Sequence, residues 1–307
     1  MRDICARSLI APIGFWAVFQ LGYLDATEIL ITTHSGNDVL CYDLQKGLLT
    51  HLVARKEGKL KQARGMTYGP SGDLFVCSAG SSNWAVLRYS PGGRFLGVFA
   101  MGGGLAHPYQ CLFGPDGDLY VAGQDNNGVL QYDGKTGEYR GAFVEPGSGG
   151  LDGVRGIVFH PSGDLLVAGR DNNAVLRYEA VTGKPKGYFV QPRSGNLEHP
   201  VQLYYGADGH LYVGSSRNDR ILRFDGKTGQ FLDIFIKHKA GGLRRPAGFI
   251  WGPEGNFYVA SRRSNQVLRY DGKTGEFLGV VFGRSDDKRL HEPEFLLHRK
   301  GIQTQKK

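Results

Sequence analysis

The chain has 307 residues, 47 of them glycine, and carries 37 Lys plus Arg against 29 Asp plus Glu, a formal net charge of +8. Such a length fits one closed domain that buries roughly three quarters of its unfolded surface, and the basic balance turns attention to acidic ligands. Four cysteines in unrelated positions argue against a disulfide framework, and no apolar run after residue 26 is continuous enough to cross a membrane.

Residues 1–26 open with Arg2 and Arg7, run through a mostly apolar stretch from Leu9 to Leu24, and end at Asp25-Ala26. The stretch resembles a secretory signal peptide, so the mature chain is expected to begin near residue 27 and to be secreted or periplasmic. From Glu28 onward the sequence repeats itself. EILITT from Glu28 and VLCYD from Val39 form a degenerate first copy. Five strong copies follow at a spacing of 45 or 46 residues: GPSGDLFV starts at Gly69, GPDGDLYV at Gly114, HPSGDLLV at His160, GADGHLYV at Gly206 and GPEGNFYV at Gly252. Each is followed by a VLRYD-like run and a GKTG-like turn.

The third copy shows what one period becomes. Its four short apolar runs, Tyr109 to Phe113, Leu119 to Ala122, Val129 to Tyr132 and Tyr139 to Val144, are bounded by Gly, Asp, Asn and Pro and read as strands A, B, C and D. Pro115-Asp116-Gly117 supplies hairpin chemistry between A and B: a fixed φ, a carboxylate that bonds its own backbone, and a glycine for positive φ. Asp133-Gly134-Lys135-Thr136-Gly137 repeats that logic between C and D, and recurs at Asp225 and Asp271.

One four-stranded sheet cannot bury both of its faces, whereas copies stacked around an axis can. The expected fold is therefore all-β: a six-bladed β-propeller of four-stranded antiparallel blades. The first copy lacks a strand A, while Pro293 to His298 (PEFLLH) reads as a strand A with no blade after it. The C-terminal strand should thus complete the first blade and leave no open inner edge. The domain is expected over 27–299, with a basic tail at 300–307. The motifs GPDG-x-LYV, VLRYDGKTG and FLGVF resemble the NHL-repeat family of six-bladed propellers over about residues 28–298. That resemblance implies the fold; NHL-like propellers include scaffolds, RNA-binding and protein-binding modules, and a few lyases and hydrolases.

Strand parity separates the two ends of the cylinder. The A-to-B and C-to-D turns share one face, which carries Asp116, Asp118, Asp164, Asp208, Asp225 and Asp271. The B-to-C loops and D-to-A crossovers share the other, with Arg170, Arg217, Arg220, Arg262 and Arg263 on loops, and Lys56, Lys59, Lys61, Arg64, Arg155, Lys237, Lys239, Arg244 and Arg245 on crossovers. The positive charge should gather on the crossover face and draw an acidic ligand or polymer, or an acidic protein partner. Few aromatics interleave there to stack bases, so nucleic acid is not the expected partner. The chain is expected to act as a monomer.

Counting back seven residues from each A-to-B landmark gives Gln62, His107, Gly153, His199 and Arg245, and His291 when anchored on Gly301. His107, His199 and His291 would then sit on alternate blades about the axis. Three neutral imidazoles with an open position suit a divalent metal such as zinc. Aligning on the inner-strand proline instead moves Glu292 into that column. Two positions further along lie Arg64, Tyr109 and Arg155, with Glu294 nearby: Arg64 and Arg155 could clamp an anion, and Tyr109 could donate a proton. Gly65, Gly156 and Gly248 alternate with Gln110 and Gln202, which suggests crowded inner strands and glutamines that hold water in the channel. The sequence resembles the peptidyl-hydroxyglycine amidating lyases in having histidines on alternating blades. In those lyases the ligand histidine follows the inner-strand proline, where this chain has Tyr109 and Val201. Two functions follow as expectations. One is an extracytoplasmic binding or scaffold module whose ligand sites include Arg64, Arg155, Arg245, Gln110, Gln202 and Glu294. The other is a metal-dependent lyase or hydrolase with a histidine-lined site at the channel mouth.

Overall fold

A computed structural model describes residues 27–81, 84–283 and 290–299. The expected signal peptide at 1–26 and the basic tail at 300–307 lie outside the described residues. Among the described residues, twenty-four strands form six four-stranded antiparallel sheets. The first blade takes β1 (Glu28–Thr33), β2 (Asp38–Asp43) and β3 (Leu48–Val53), and the second β4 (Ala63–Tyr68), β5 (Leu74–Ser78), β6 (Ala85–Tyr89) and β7 (Phe95–Met101). The third comprises β8 (Pro108–Phe113), β9 (Leu119–Gly123), β10 (Gly128–Tyr132) and β11 (Tyr139–Val144). The fourth comprises β12 (Val154–Phe159), β13 (Leu165–Gly169), β14 (Ala174–Tyr178) and β15 (Pro185–Val190). The fifth runs β16 (Pro200–Tyr205), β17 (Leu211–Ser215), β18 (Arg220–Phe224) and β19 (Phe231–Ile236). The sixth runs β20 (Pro246–Trp251), β21 (Phe257–Ser261), β22 (Gln266–Tyr270) and β23 (Phe277–Phe282). Strand β24 (Pro293–His298) pairs antiparallel with β1, from Ile29 opposite His298 to Thr33 opposite Pro293, and so supplies the first blade's missing inner strand. At the seam, Arg299 N–H donates to Glu28 O at 2.9 Å and Arg299 Nη1 meets Glu28 Oε2 at 2.9 Å, standing in for the covalent A-to-B turn of the other blades.

The core lies between blades. Phe75, Cys77 and Val86 of the second blade pack with Cys111, Leu119 and Val121 of the third, and Phe75 stands edge-on to Phe99 and Phe113 with ring centroids 4.7 and 5.0 Å away. Cys41, Cys77 and Cys111 are free thiols buried within it. The inner strands crowd as the small residues at their starts imply. A Cβ on Gly156 would lie 2.2 Å from Val201 O, and one on Gly65 2.7 Å from the Gln110 Cα. Gly156→Ala should therefore destabilise the fold by about 1–3 kcal/mol in chemical denaturation; an unchanged midpoint would show that β12 and β16 have room to part.

Two side-chain devices hold the crossover loops in place. The tyrosine near the end of strand C donates to the crossover entering its own blade: Tyr89 to Glu57 O at 2.9 Å, Tyr132 to Gly102 O at 3.0 Å, Tyr178 to Ser148 O at 2.8 Å and Tyr270 to Ala240 O at 2.9 Å. Asn127, Asn173 and Asn265, which as turn-forming residues would be expected to bond backbone within their own loops, reach instead to the next blade, and Asp219 does the same. Asn127 Oδ1 accepts from Gly153 N at 2.8 Å, Asn173 Oδ1 from His199 N at 2.9 Å, Asp219 Oδ1 from Arg245 N at 2.7 Å, and Asn265 Oδ1 from Glu292 N at 2.8 Å. A short carbonyl or carboxylate at a left-handed position reaches the next crossover because the blades are stacked so closely.

Candidate functional site

The residue just before each inner strand is itself left-handed: φ is 48° at Gln62, 50° at His107, 49° at His199, 51° at Arg245 and 52° at Glu292, with Gly153 at 66°. Left-handed backbone at non-glycine residues costs roughly 1 kcal/mol or more each, so five such residues mark a rim whose side chains are worth some strain. The column resolves the alignment left open by the sequence. Glu292, not His291, occupies the position equivalent to His107 and His199, because the chain before β24 matches on its proline; His291 is half-buried beside it.

Behind the rim is a cavity of about 320 Å³ on the crossover side of the axis, lined by Tyr109, Arg155, Arg170, His199, Val201, Ser216, Arg217, Arg245, Pro246, Ala247, Arg262 and Glu294. Its floor is a buried ionic cluster. Arg64 Nη1 donates to Glu294 Oε1 at 2.6 Å, Tyr109 Oη donates to the same oxygen at 2.9 Å, and Arg262 Nε stands 3.1 Å from Glu294 Oε2. Arg64 is 4% exposed and Glu294 2%. Burial alone would push the Glu294 carboxyl up, but Arg64, Arg262 and Arg155 together hold it down at about 2. Arg64 is thus not a free anion clamp; the carboxylate it grips belongs to the protein. Tyr109 lies between guanidinium groups, 4.4 Å from Arg155 and 5.2 Å from Arg64, measured from Cζ to ring centroid. Burial and the neighbouring Glu294 raise its phenol, which stays a hydrogen-bond donor at neutral pH.

Gln110 and Gln202 hold neighbouring blades rather than channel water. Gln110 Oε1 accepts from Ile157 N at 3.1 Å and Gln202 Oε1 from Phe249 N at 2.6 Å, each at the register shift near the start of the next inner strand. The histidines are engaged by charged side chains. His107 Nε2 is 3.1 Å from Arg64 Nη2, which can only donate, so Nδ1 carries the proton toward Asp125 Oδ2 at 3.2 Å. His199 Nε2 accepts from Arg217 Nη1 at 3.3 Å. Burial first, then Arg64 for His107 and Arg170 for His199, lowers both imidazoles and keeps them neutral. Ring nitrogens turned to guanidinium donors do not fit a zinc site, and among the described residues no three His, Cys, Asp or Glu side chains group to hold a metal ion.

One set of partners escaped the sequence reading. His34 Nδ1 lies 3.0 Å from Glu292 Oε2, Ser35 donates to the same oxygen, and Arg262 Nη2 is 3.3 Å from Glu292 Oε1. The available signal was positional: His34 follows strand B of its blade, as Arg170 and Arg262 follow theirs.

The charge pattern is sharper than strand parity alone implies. On the turn face, Asp73 pairs with Arg88, Asp164 with Arg177 and Lys186, Asp208 and Asp233 with Arg223, and Asp118 and Asp133 with Arg140. Asp225 and Asp271 accept backbone N–H groups of their own turns. The crossover face is not uniformly basic: Asp125, Asp152 and Asp171 stand on the third and fourth blades. Arg217, Lys237, Lys239, Arg244, Arg245, Arg262 and Arg263 concentrate on the fifth and sixth.

No family model and no curated protein matches the chain. Solved structures do match. A chain of a nidogen/laminin complex superposes with a TM-score of 0.69 at 16% identity, covering 88% of this chain and 97% of that one. Virginiamycin B lyase from Staphylococcus aureus gives 0.63 at 18% identity, covering 90% and 89%. A protein of unknown function from Bacteroides caccae gives 0.63 at 13% identity, covering 88% and 97%. At such identities the likeness concerns the fold alone.

Proposed function

We propose that this propeller is an NHL-like binding module working outside the cytoplasm, with residues 1–26 directing its export, and that it takes an acidic ligand or the acidic surface of a partner on its crossover face. One observation carries the reading. The cavity at the channel mouth is lined by five arginines and a single carboxylate, Glu294, which is already neutralised by Arg64 and Arg262. A cleft with that surplus raises the local concentration of anions and holds them by charge-assisted hydrogen bonds.

The fold admits both binding and catalysis, as its neighbours from a nidogen/laminin complex and a lyase illustrate. Binding is favoured here because the groups at the mouth are suited to hold charge rather than to move protons. Glu294 stays ionised within its pairs, Tyr109 stays protonated, and the two imidazoles already face arginines.

The test is retention on a heparin resin across a salt gradient. The protein should elute at moderate salt, and charge reversal of the exposed pair Arg244→Glu/Arg263→Glu on the basic sector should bring elution markedly earlier. Retention that ignores salt, or that the reversal leaves unchanged, would overturn the reading.

A further inference from the structure

We infer that the central cavity is a site for a small phosphomonoester, a ligand no larger than a monosaccharide phosphate, gripped between Arg155 on one side and Arg217 and Arg245 on the other. The inference rests on the acidic-ligand reading of the crossover face and narrows it to one cavity and one chemistry.

Charge accounting within the cavity comes first. Arg262 is matched by Glu292 and Glu294, and Arg170 meets Asp171 at 3.3 Å. Arg155, Arg217 and Arg245 line the same space with no carboxylate at ion-pair distance among the described residues. Three unmatched guanidinium groups exceed what one carboxylate can neutralise. A phosphomonoester brings close to two negative charges at neutral pH and three terminal oxygens, which suits planar forks converging from the fourth, fifth and sixth blades.

The arginines are also arranged in advance. Arg155 is stacked on the Tyr109 ring, and its Nε is buried without a hydrogen-bond partner. Arg245 is held at the rim by left-handed backbone, its N–H bonded to Asp219. Burial, then Arg263, Arg262 and Arg170, weaken its hold on its proton, which reports like charges crowded together. Size and lining set the rest of the ligand. About 320 Å³ is at the low end for small-molecule pockets, so a polymer cannot thread it, and Val201 and Ala247 offer an apolar wall to the part that carries the phosphate.

The experiment is titration calorimetry with a thermal melt at fixed ionic strength, using glucose 6-phosphate, inorganic phosphate, glucose and succinate. Glucose 6-phosphate should bind with 1:1 stoichiometry and raise Tm by a few degrees at saturation. Arg155→Ala and Arg245→Gly should each weaken it at least about tenfold. Arg245→Gly guards against misfolding, because Gly153 occupies the equivalent position in the fourth blade and glycine relieves the left-handed backbone. Inorganic phosphate binding as tightly as the sugar phosphate, succinate matching either, or binding unaffected by both variants would each overturn the inference. If heparin retention persists while no phosphate binds, only the cavity assignment falls; if retention is also lost, the broader reading falls with it.

Discussion

A chain that stops at Leu290 is expected not to form a cooperatively folded domain. The truncation removes β24, which puts Phe295 and Leu296 into the core at 7% and 0% exposure and pairs with β1 from Ile29 to Thr33. Burying two such side chains contributes roughly 1.5–3 kcal/mol each, and each ladder hydrogen bond adds about 1 kcal/mol. Together they approach the roughly 5–15 kcal/mol that holds a domain folded. Truncation also leaves β1 as an unpaired inner edge and breaks the circle where β24 bridges β20 and β4, which invites aggregation. Circular dichroism melts and size-exclusion chromatography should show a broad, low transition and large species. A permutant joining Arg299 to Glu28 through a short turn, and opened instead in the exposed turn around Val181, should melt cooperatively, because it turns the Arg299–Glu28 seam into an ordinary A-to-B hairpin. A truncated chain with the melting temperature of the full one would show that ring closure by the tail is not what holds the fold.

Glu294→Leu is expected to destabilise the protein by about 3–5 kcal/mol, because it leaves Arg64 buried with no carboxylate partner. The double variant Arg64→Met/Glu294→Leu should recover most of that loss, since well-packed apolar groups replace a buried pair at little net penalty. If the double variant is as unstable as the single one, the carboxylate matters through Arg262 and Tyr109 rather than Arg64. The same pair has a pH signature. The Glu294 carboxyl is depressed from an ordinary 4.5 to about 2, so its stabilisation is fully present above about 4.5 and is lost as pH falls toward 2. At about 1.4 kcal/mol per pH unit this amounts to roughly 3 kcal/mol across that window. Glu294→Gln should flatten the acid limb of the stability curve between those values while starting from a lower plateau. An unaltered limb would assign acid sensitivity to other carboxylates.

The arginines of the mouth and the aspartates of the turn face were visible in the sequence as members of two sets separated by strand parity. Their net effect was not, because it depends on which charges meet. Asp73, Asp164 and Asp208, in the A-to-B turns, find arginines on the adjacent strand C of the same blade, whereas Arg155, Arg217 and Arg245 have no carboxylate at ion-pair distance among the described residues. Arg64 shows the same limit from the other side. Its column suggested an anion clamp, and only the approach of Glu294, 230 residues later in the chain, shows that the anion is internal.

Local chemistry repeated at a fixed period was enough to determine blade number, strand order and the closing strand, because each hairpin turn and alternating apolar run specifies its own neighbourhood and repetition leaves one way to bury the faces. The exchange of His291 for Glu292 in the rim, the assignment of Gln110 and Gln202 to backbone between blades, and the unmatched charge of the cavity were decided by tertiary structure alone. Each depends on distances across the axis between residues far apart in the chain, and a one-residue offset before β24 was enough to change which side chain faces the mouth.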